Sequence, residues 1–367
     1  MLFYEIKASI NTMPNNSGLT KNEQRVLYGM VRNPTMSDNS LARFLKMKDS
    51  TVNYCRNQLE KRKIFQVVYV PILNRLGFEL LCINFAEYNL KTLKDSRKSE
   101  KTNKIPISDD IFLRIGDLEK EFSVSFNKNY SEFFLNTQNR LERMGKLGLL
   151  SKNRKNLPKN IIFPINLSVI YNFFDYSQLL LHTFSIKSEN GVKNNGDPLY
   201  FSDHTLYNLS EKEKAVFTAL IDYPNHSIKE IAELEEISLN RNTVSKMRQD
   251  FLKLGLMKKI IIPDLQSIGY ELFVYYHFRF RPDNPINDEA KGVLNSPSTI
   301  LFFYNKFEAI ILSAFKNYSE YKSDKVQKFS HLHSHEMLAE SPEPRKYLFN
   351  NLDYFRKFDF RLLSRNI

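Results

Sequence analysis

The sequence predicts an α+β chain built from one unit written twice, and three repeats carry that reading. Thr51–Glu79 reads TVNYCRNQLEKRKIFQVVYVPILNRLGFE, and Thr243–Glu271 reads TVSKMRQDFLKLGLMKKIIIPDLQSIGYE, with Pro71 matched to Pro263, 192 positions on. Each copy is a helix with an apolar stripe, then a β-branched run, then a turn. Lys128-Asn129-Tyr130-Ser131-Glu132-Phe133 recurs as Lys316-Asn317-Tyr318-Ser319-Glu320-Tyr321, and Phe174-Asp175-Tyr176 recurs as Phe358-Asp359-Phe360. The unit, roughly 20–187 and 209–367, is therefore present twice.

Taken in order, residues 1–18 form a lead-in ending in the turn-forming Pro14–Gly18. Thr20 and Glu23 make a capping box for a helix whose Val26, Leu27, Met30 and Val31 share a face, and Asn33-Pro34 ends it. A second helix starts near Ser37 and buries Leu41, Ala42, Phe44 and Leu45. Ser50 caps a third, with Val52, Cys55 and Leu59 inward, and Ile64–Val70 reads as strand. Three short helices followed by a strand hairpin give the pattern of a winged helix-turn-helix. The second copy repeats it, with Leu209-Ser210 and Glu213 as the box and stripes at Val216, Phe217, Leu220, then Ile228, Ile231, Ala232, Leu234, then Val244, Met247, Phe251. After each such unit the order strand, helix, strand, strand, helix, strand predicts a split βαβ sheet with two helices on one face. Ser131 and Ser319 are expected to cap the second of these helices. The Lys- and Ser-rich Leu90–Pro106 reads as a flexible insertion.

Composition narrows the partners. Net charge is +12 with a pI near 9.3, which points to a polyanion, nucleic acid before membrane. No apolar run approaches the ~20 residues that span a bilayer, and no secretion signal opens the chain. The two cysteines, Cys55 and Cys82, are too few for a disulfide framework or a Cys-based zinc site and are expected as buried thiols. A cytoplasmic location follows.

These features resemble the Lrp/AsnC family of archaeal and bacterial transcription regulators. The resemblance rests on the Thr-Val helix, the Leu or Phe near its end, Gly255-Leu256 leading into the wing, and the segments Leu73-x-x-Leu76-Gly77-Phe78 and Leu265-x-x-Ile268-Gly269-Tyr270. It covers nearly the whole chain, once per half. It implies two winged helix-turn-helix domains alternating with two ferredoxin-like βαββαβ domains in a pseudo-two-fold internal repeat. The expected boundaries are winged helices at 19–75 and 209–267, sheet domains at 76–187 and 268–367, and a linker at 188–208. Two departures stand out: both units share one chain, which implies a covalent pseudo-dimer, and the family's glycine-and-aspartate effector loop is missing, which argues against amino-acid sensing.

On each third helix the face opposite the apolar stripe is the one able to reach bases. It carries Ser50, Thr51, Asn53, Tyr54 and Asn57, with Lys61 behind, and Asn242, Thr243, Ser245, Lys246 and Gln249, with Lys253 behind. Asn and Gln suit adenine, and hydroxyls or Lys suit phosphate or guanine, although a polar face on a single helix is usually just solvated. Arg56 and Arg248 border the apolar side and read equally as phosphate clamps or ion-pair partners. Arg62, Lys63, Lys258 and Lys259 around the wings read as phosphate contacts that position without specifying, or as ordinary solvated charge. A further basic run, Arg140, Arg143, Lys146, Lys152, Arg154, Lys155 and Lys159, reads as flanking-DNA contact or as plain solubility. His331 and His335 share a helical face beside Glu336, but with no third ligand evident they read as surface histidines, and no metal site is expected. No phosphate-binding glycine loop, nucleophile elbow or metalloprotease helix is present.

The expected function is a double-stranded DNA-binding transcription regulator acting on an imperfect inverted repeat. It would need no catalytic residue and no cofactor, would not be an enzyme, and would have room for further self-association through its sheets. A replication initiator with paired winged helices, and an interaction scaffold, are the alternatives.

Overall fold

The computed structural model describes residues 18–88, 108–117, 120–150, 157–186, 199–352, 354–356 and 358–367. The insertion read at 90–106 and most of the linker lie outside them. The first half runs α1 (Lys21–Arg32), α2 (Asp38–Leu45), α3 (Asp49–Lys61), β1 (Phe65–Pro71), β2 (Leu80–Glu87), β3 (Ile111–Gly116) and β4 (Lys120–Asn127). It continues through α4 (Tyr130–Lys146), β5 (Lys159–Pro164), β6 (Val169–Phe173) and α5 (Ser177–Thr183). A short α6 (Leu199–Ser202) leads into α7 (Glu211–Asp222), α8 (Ile228–Ala232), α9 (Arg241–Lys253) and β7 (Met257–Pro263). There follow β8 (Leu272–Arg279), α10 (Asp288–Leu294), β9 (Thr299–Tyr304), β10 (Glu308–Phe315), α11 (Tyr318–Ser334), β11 (Arg345–Leu348), β12 (Tyr354–Arg356) and α12 (Arg361–Arg365).

The helical units form where the caps predict. The Thr20 hydroxyl accepts the Glu23 N–H at 3.3 Å while the Glu23 carboxylate accepts the Thr20 N–H at 2.7 Å, and Ser210 with Glu213 repeats the arrangement. Val26, Leu27, Val52 and Leu59 are wholly buried between α1 and α3, and Val216, Phe217, Val244 and Phe251 between α7 and α9. Two details differ from expectation. Helix α3 begins two residues earlier than a Ser50 cap requires, at Asp49 after Lys48, so Ser50 sits inside its first turn without capping it. Phe44 is 46% exposed, because Leu41, Ala42 and Leu45 already fill the inward stripe of α2.

The hairpin expected after each third helix is replaced by a single ribbon shared between the halves. β1 pairs antiparallel with β7, and Val68 faces Ile260, its own counterpart 192 positions on. Main-chain bonds from Ile72 N–H to Leu256 at 2.8 Å and from Asp264 N–H to Ile64 at 2.7 Å close the ribbon symmetrically. Each copy supplies one strand only, since the chain leaves β1 and β7 at Pro71 and Pro263 and turns at Gly77 (φ 89°) and Gly269 (φ 91°). A second self-paired contact marks the same internal two-fold axis: the rings of Phe174 and Phe358 meet edge to face at 4.5 Å.

The turn that enters each ribbon strand needs a left-handed residue, Lys63 (φ 56°) in the first half and Gly255 (φ 66°) in the second. The same bond spans both turns, Ile64 N–H to Leu59 and Leu256 N–H to Phe251, each at 2.9 Å. Left-handed backbone is costly for a residue with a Cβ, so Lys63→Gly is expected to stabilise the chain by about 1 kcal/mol, measured by chemical denaturation.

Two five-stranded antiparallel sheets complete the fold, in the orders β12-β3-β4-β2-β5 and β11-β8-β10-β9-β6. Each takes its outermost strand from the other half: β6 pairs with β9, and β12 with β3. The second half shows the expected βαββαβ order, and its β8–β11 sheet carries α10 and α11 on one face. Inner faces meet through aromatics, Phe85 to Tyr275 at 4.5 Å and Phe163 to Phe303 at 4.8 Å. The outer faces are not alike. Under α11 stand Tyr276, Phe302, Ala309 and Ile311, an apolar layer whose one buried ion pair, among the described residues there, is Lys328 with Asp324 of α11 itself. At the matched positions the first sheet buries Asn84, Arg114, Glu121 and Ser123. Arg114 donates to Glu121 at 2.7 Å and to the Tyr88 hydroxyl at 3.2 Å.

The helices that follow the repeated KNYSE segments are capped by Asn129 and Asn317, whose side chains accept the N–H of Glu132 and Glu320 at 2.9 Å, and not by the serines. Arg140 also departs from its reading as surface charge: its side chain is buried and pairs with Asp110 at 3.4 Å. Arg143, Lys146 and Lys159 are exposed, while Lys152, Arg154 and Lys155 lie outside the described residues. Both cysteines are buried and free, and burial pushes the Cys82 thiol well above its ordinary range.

Candidate nucleic-acid interface and the cleft beside it

The ribbon fixes how the two third helices stand. α3 ends where β1 begins and α9 where β7 begins, so the pairing about Val68 and Ile260 relates the helices by the same axis. Ser50, Asn53, Tyr54, Asn57 and Lys61 are exposed on α3, with Tyr54 at 64%, and Thr51 is half-buried. At matched positions Asn242, Lys246, Gln249 and Lys253 are exposed on α9, while Thr243 and Ser245 are half-buried. Thr243 is tied to the helix start, its N–H and hydroxyl both donating to Asn240 at 2.8 and 3.0 Å. Neither polar face is covered by other described elements.

Of the two readings left open for Arg56, the ion pair is present: its guanidinium donates to Asp38 in the first turn of α2. Arg248 has no such partner, because Ile228 opens α8 where Asp38 opens α2, and its Nε is buried without a hydrogen bond. Arg62 braces the first unit, donating to Glu23 at 3.2 Å and to the Gly18 carbonyl at 3.1 Å.

Lys258 and Lys259 do not project from an exposed wing tip. They are half-buried on β7 and line a cleft of about 750 Å³ together with Lys253 and Gln249. The opposite walls come from the end of α1 (Arg32 to Met36) and from the corner Phe173–Tyr176. Burial pushes the Lys259 ammonium below its ordinary pKa, and the neighbouring Arg56 and Arg248 push the same way against Asp38. No sequence signal marks this cleft, since its walls come from three distant segments.

Elsewhere, a pocket of about 320 Å³ lies where α5 of the first half meets the second, with His182, Thr183, Tyr270, Ser296, Ser298 and Asp324 in its lining. Asp324 accepts from Ser296 at 2.7 Å, Ser298 at 3.1 Å and the wholly buried Lys328 at 2.8 Å. Burial lowers the Lys328 pKa and Asp324 opposes that. The histidine pair gains a neighbour not foreseen from sequence: ligand-type atoms of Glu289, His331 and His335 lie within 4.8 Å of one another. Glu289 comes from α10, across the helix pair, which is why local spacing missed it.

The chain is thus a duplicated α+β protein with a dyad-related pair of helical units. No known family's sequence profile matches it, and neither does any curated protein. Among solved structures it is similar end to end to the siroheme decarboxylase NirDL, with a TM-score of 0.51, 8% identity and coverage of 94% of this chain and 96% of that one. The same enzyme in co-complex with an iron-uroporphyrin III analogue matches equally. AsnC of E. coli (TM-score 0.30, 11% identity) matches 40% of this chain and 91% of its own. A transcriptional regulator of Neisseria meningitidis in complex with L-Met (TM-score 0.31, 12% identity) matches 38% of this chain and 90% of its own. The expectation that the chain is no enzyme is corrected here, because the fold it shares over its full length is the fold of an enzyme. Among the described residues no helix is long and apolar enough to cross a membrane.

Proposed function

We propose that the chain is a sequence-specific double-stranded DNA-binding regulator, a covalent pseudo-dimer that grips an imperfect inverted repeat. The observation that supports this best is the pair of exposed polar faces on α3 and α9, related by the ribbon's axis. Two such helices would enter successive major grooves about one turn apart, ~34–36 Å. Linking both heads in one chain raises the effective concentration of the second. Fragments selected from random DNA are expected to share two unequal half-sites. Affinity should fall steeply with salt, the slope in log–log form being about −0.9 for each phosphate neutralised. Weak binding indifferent to sequence would reject the reading.

A second reading, an enzyme of tetrapyrrole chemistry, is supported by the end-to-end likeness to a siroheme decarboxylase. Titrating iron uroporphyrin III with the full chain tests it: a saturable shift of the Soret band favours it, and an unchanged spectrum counts against it.

A further inference from the structure

The residues that line the cleft beside α9 have counterparts across the internal axis, and the two sets differ in charge. Arg32, Lys253, Lys258 and Lys259 line the cleft, with Asp175 the one acid among its described lining residues. Asp175 is already engaged, accepting the Ser177 N–H at 2.8 Å. At the matched positions the other side holds Asp222, Lys61, Gln66 and Val67. Its acids are neutralised locally, Asp222 by Arg365 at 3.1 Å and Asp359 by Arg361 at 2.8 Å. Three of the four cations are therefore not a structural need of the repeat, since the other copy of the same framework keeps only Lys61 of the four.

Lys259 is also crowded by like charge. Lys259 is held below its ordinary pKa by burial and by Arg56 and Arg248, and Asp38, which acts against them, is paired with Arg56. Cations crowded out of water cost free energy unless an anion joins them. Lysine ammonium groups act as point charges that suit phosphate, whereas carboxylate favours the arginine fork. The volume of about 750 Å³ falls within the range of small-molecule sites, and Pro34, Met36 and Leu252 offer apolar wall for a ring. We propose that this cleft binds a phosphorylated small molecule of nucleotide size. The inference does not depend on DNA binding.

The test is calorimetric titration of the full chain with ATP and, separately, with sodium pyrophosphate. The comparison variant is Lys258→Gln with Lys259→Val, the residues the first half holds at those places, and Arg32→Asp serves as a second variant on another element. Wild type is expected to bind ATP, with affinity falling tenfold or more in each variant while the thermal midpoint holds or rises. Failure of both probes to bind wild type would overturn the proposal, as would equal binding by the variants, or saturation of the cleft by iron uroporphyrin III with no response to ATP. Mobility shifts on selected DNA, run with the same proteins, separate the two ideas: DNA binding intact without ATP binding removes the cleft site and leaves the regulator.

Discussion

Alanine at Asn53 and Asn57 together is expected to weaken recognition of one half-site and leave the other intact. A lost bidentate base contact is worth about 1–3 kcal/mol, so the pair should cost tenfold at least and blur the bases read at that half-site. Lys246→Ala with Gln249→Ala should do the same at the opposite half-site. The asymmetry follows from the faces themselves: Asn53, Tyr54 and Asn57 stand where Ser245, Lys246 and Gln249 stand in the second copy. Repeating the fragment selection with each double variant reads the result directly. Equal loss in both half-sites would show that the helices do not read separate sequences, and the proposed mode of binding would fall with it.

Arg114→Leu is expected to destabilise the fold by about 3–5 kcal/mol, because it leaves the Glu121 carboxylate in the interior without its partner. Both side chains are nearly inaccessible, at 5% and 6% exposure, and the guanidinium also reaches the Tyr88 hydroxyl at 3.2 Å. The chain carries its own repair: Phe302 and Ala309 occupy the matched places in the second sheet. Arg114→Phe with Glu121→Ala should therefore recover most of the loss. Urea denaturation of the two variants and wild type gives the comparison, and a single variant costing under 1 kcal/mol would mean that water or a rearranged donor reaches Glu121.

Local signals carried the helical units and long-range pairing escaped them. Thr20 with Glu23, and Ser210 with Glu213, announce helices through contacts three residues apart, and the structure has both boxes. The ribbon is different, since Val68 and Ile260 are joined only in space and no residue in β1 states whether its partner is the next strand or one from the other half. The same blindness made Arg140 look like surface charge, when Asp110 on another element takes it inside. Asn129 and Asn317 cap their helices although a serine two positions on offers the same chemistry, so the sequence alone does not choose between them. The cleft could not be read at all, as Arg32, Asp175 and Lys259 meet only once the halves have folded against each other.

The exchange of outer strands has a consequence for how the protein is made. Residues 354–356 complete the sheet begun at residue 80, so nearly the whole polypeptide must leave the ribosome before that sheet is finished. Until then β3 offers an open edge, a template for any stray extended segment. Contacts so far apart along the sequence form slowly. Synthesis that stalls late should thus yield sticky, incomplete chains, and the first half alone should not persist as a monomer.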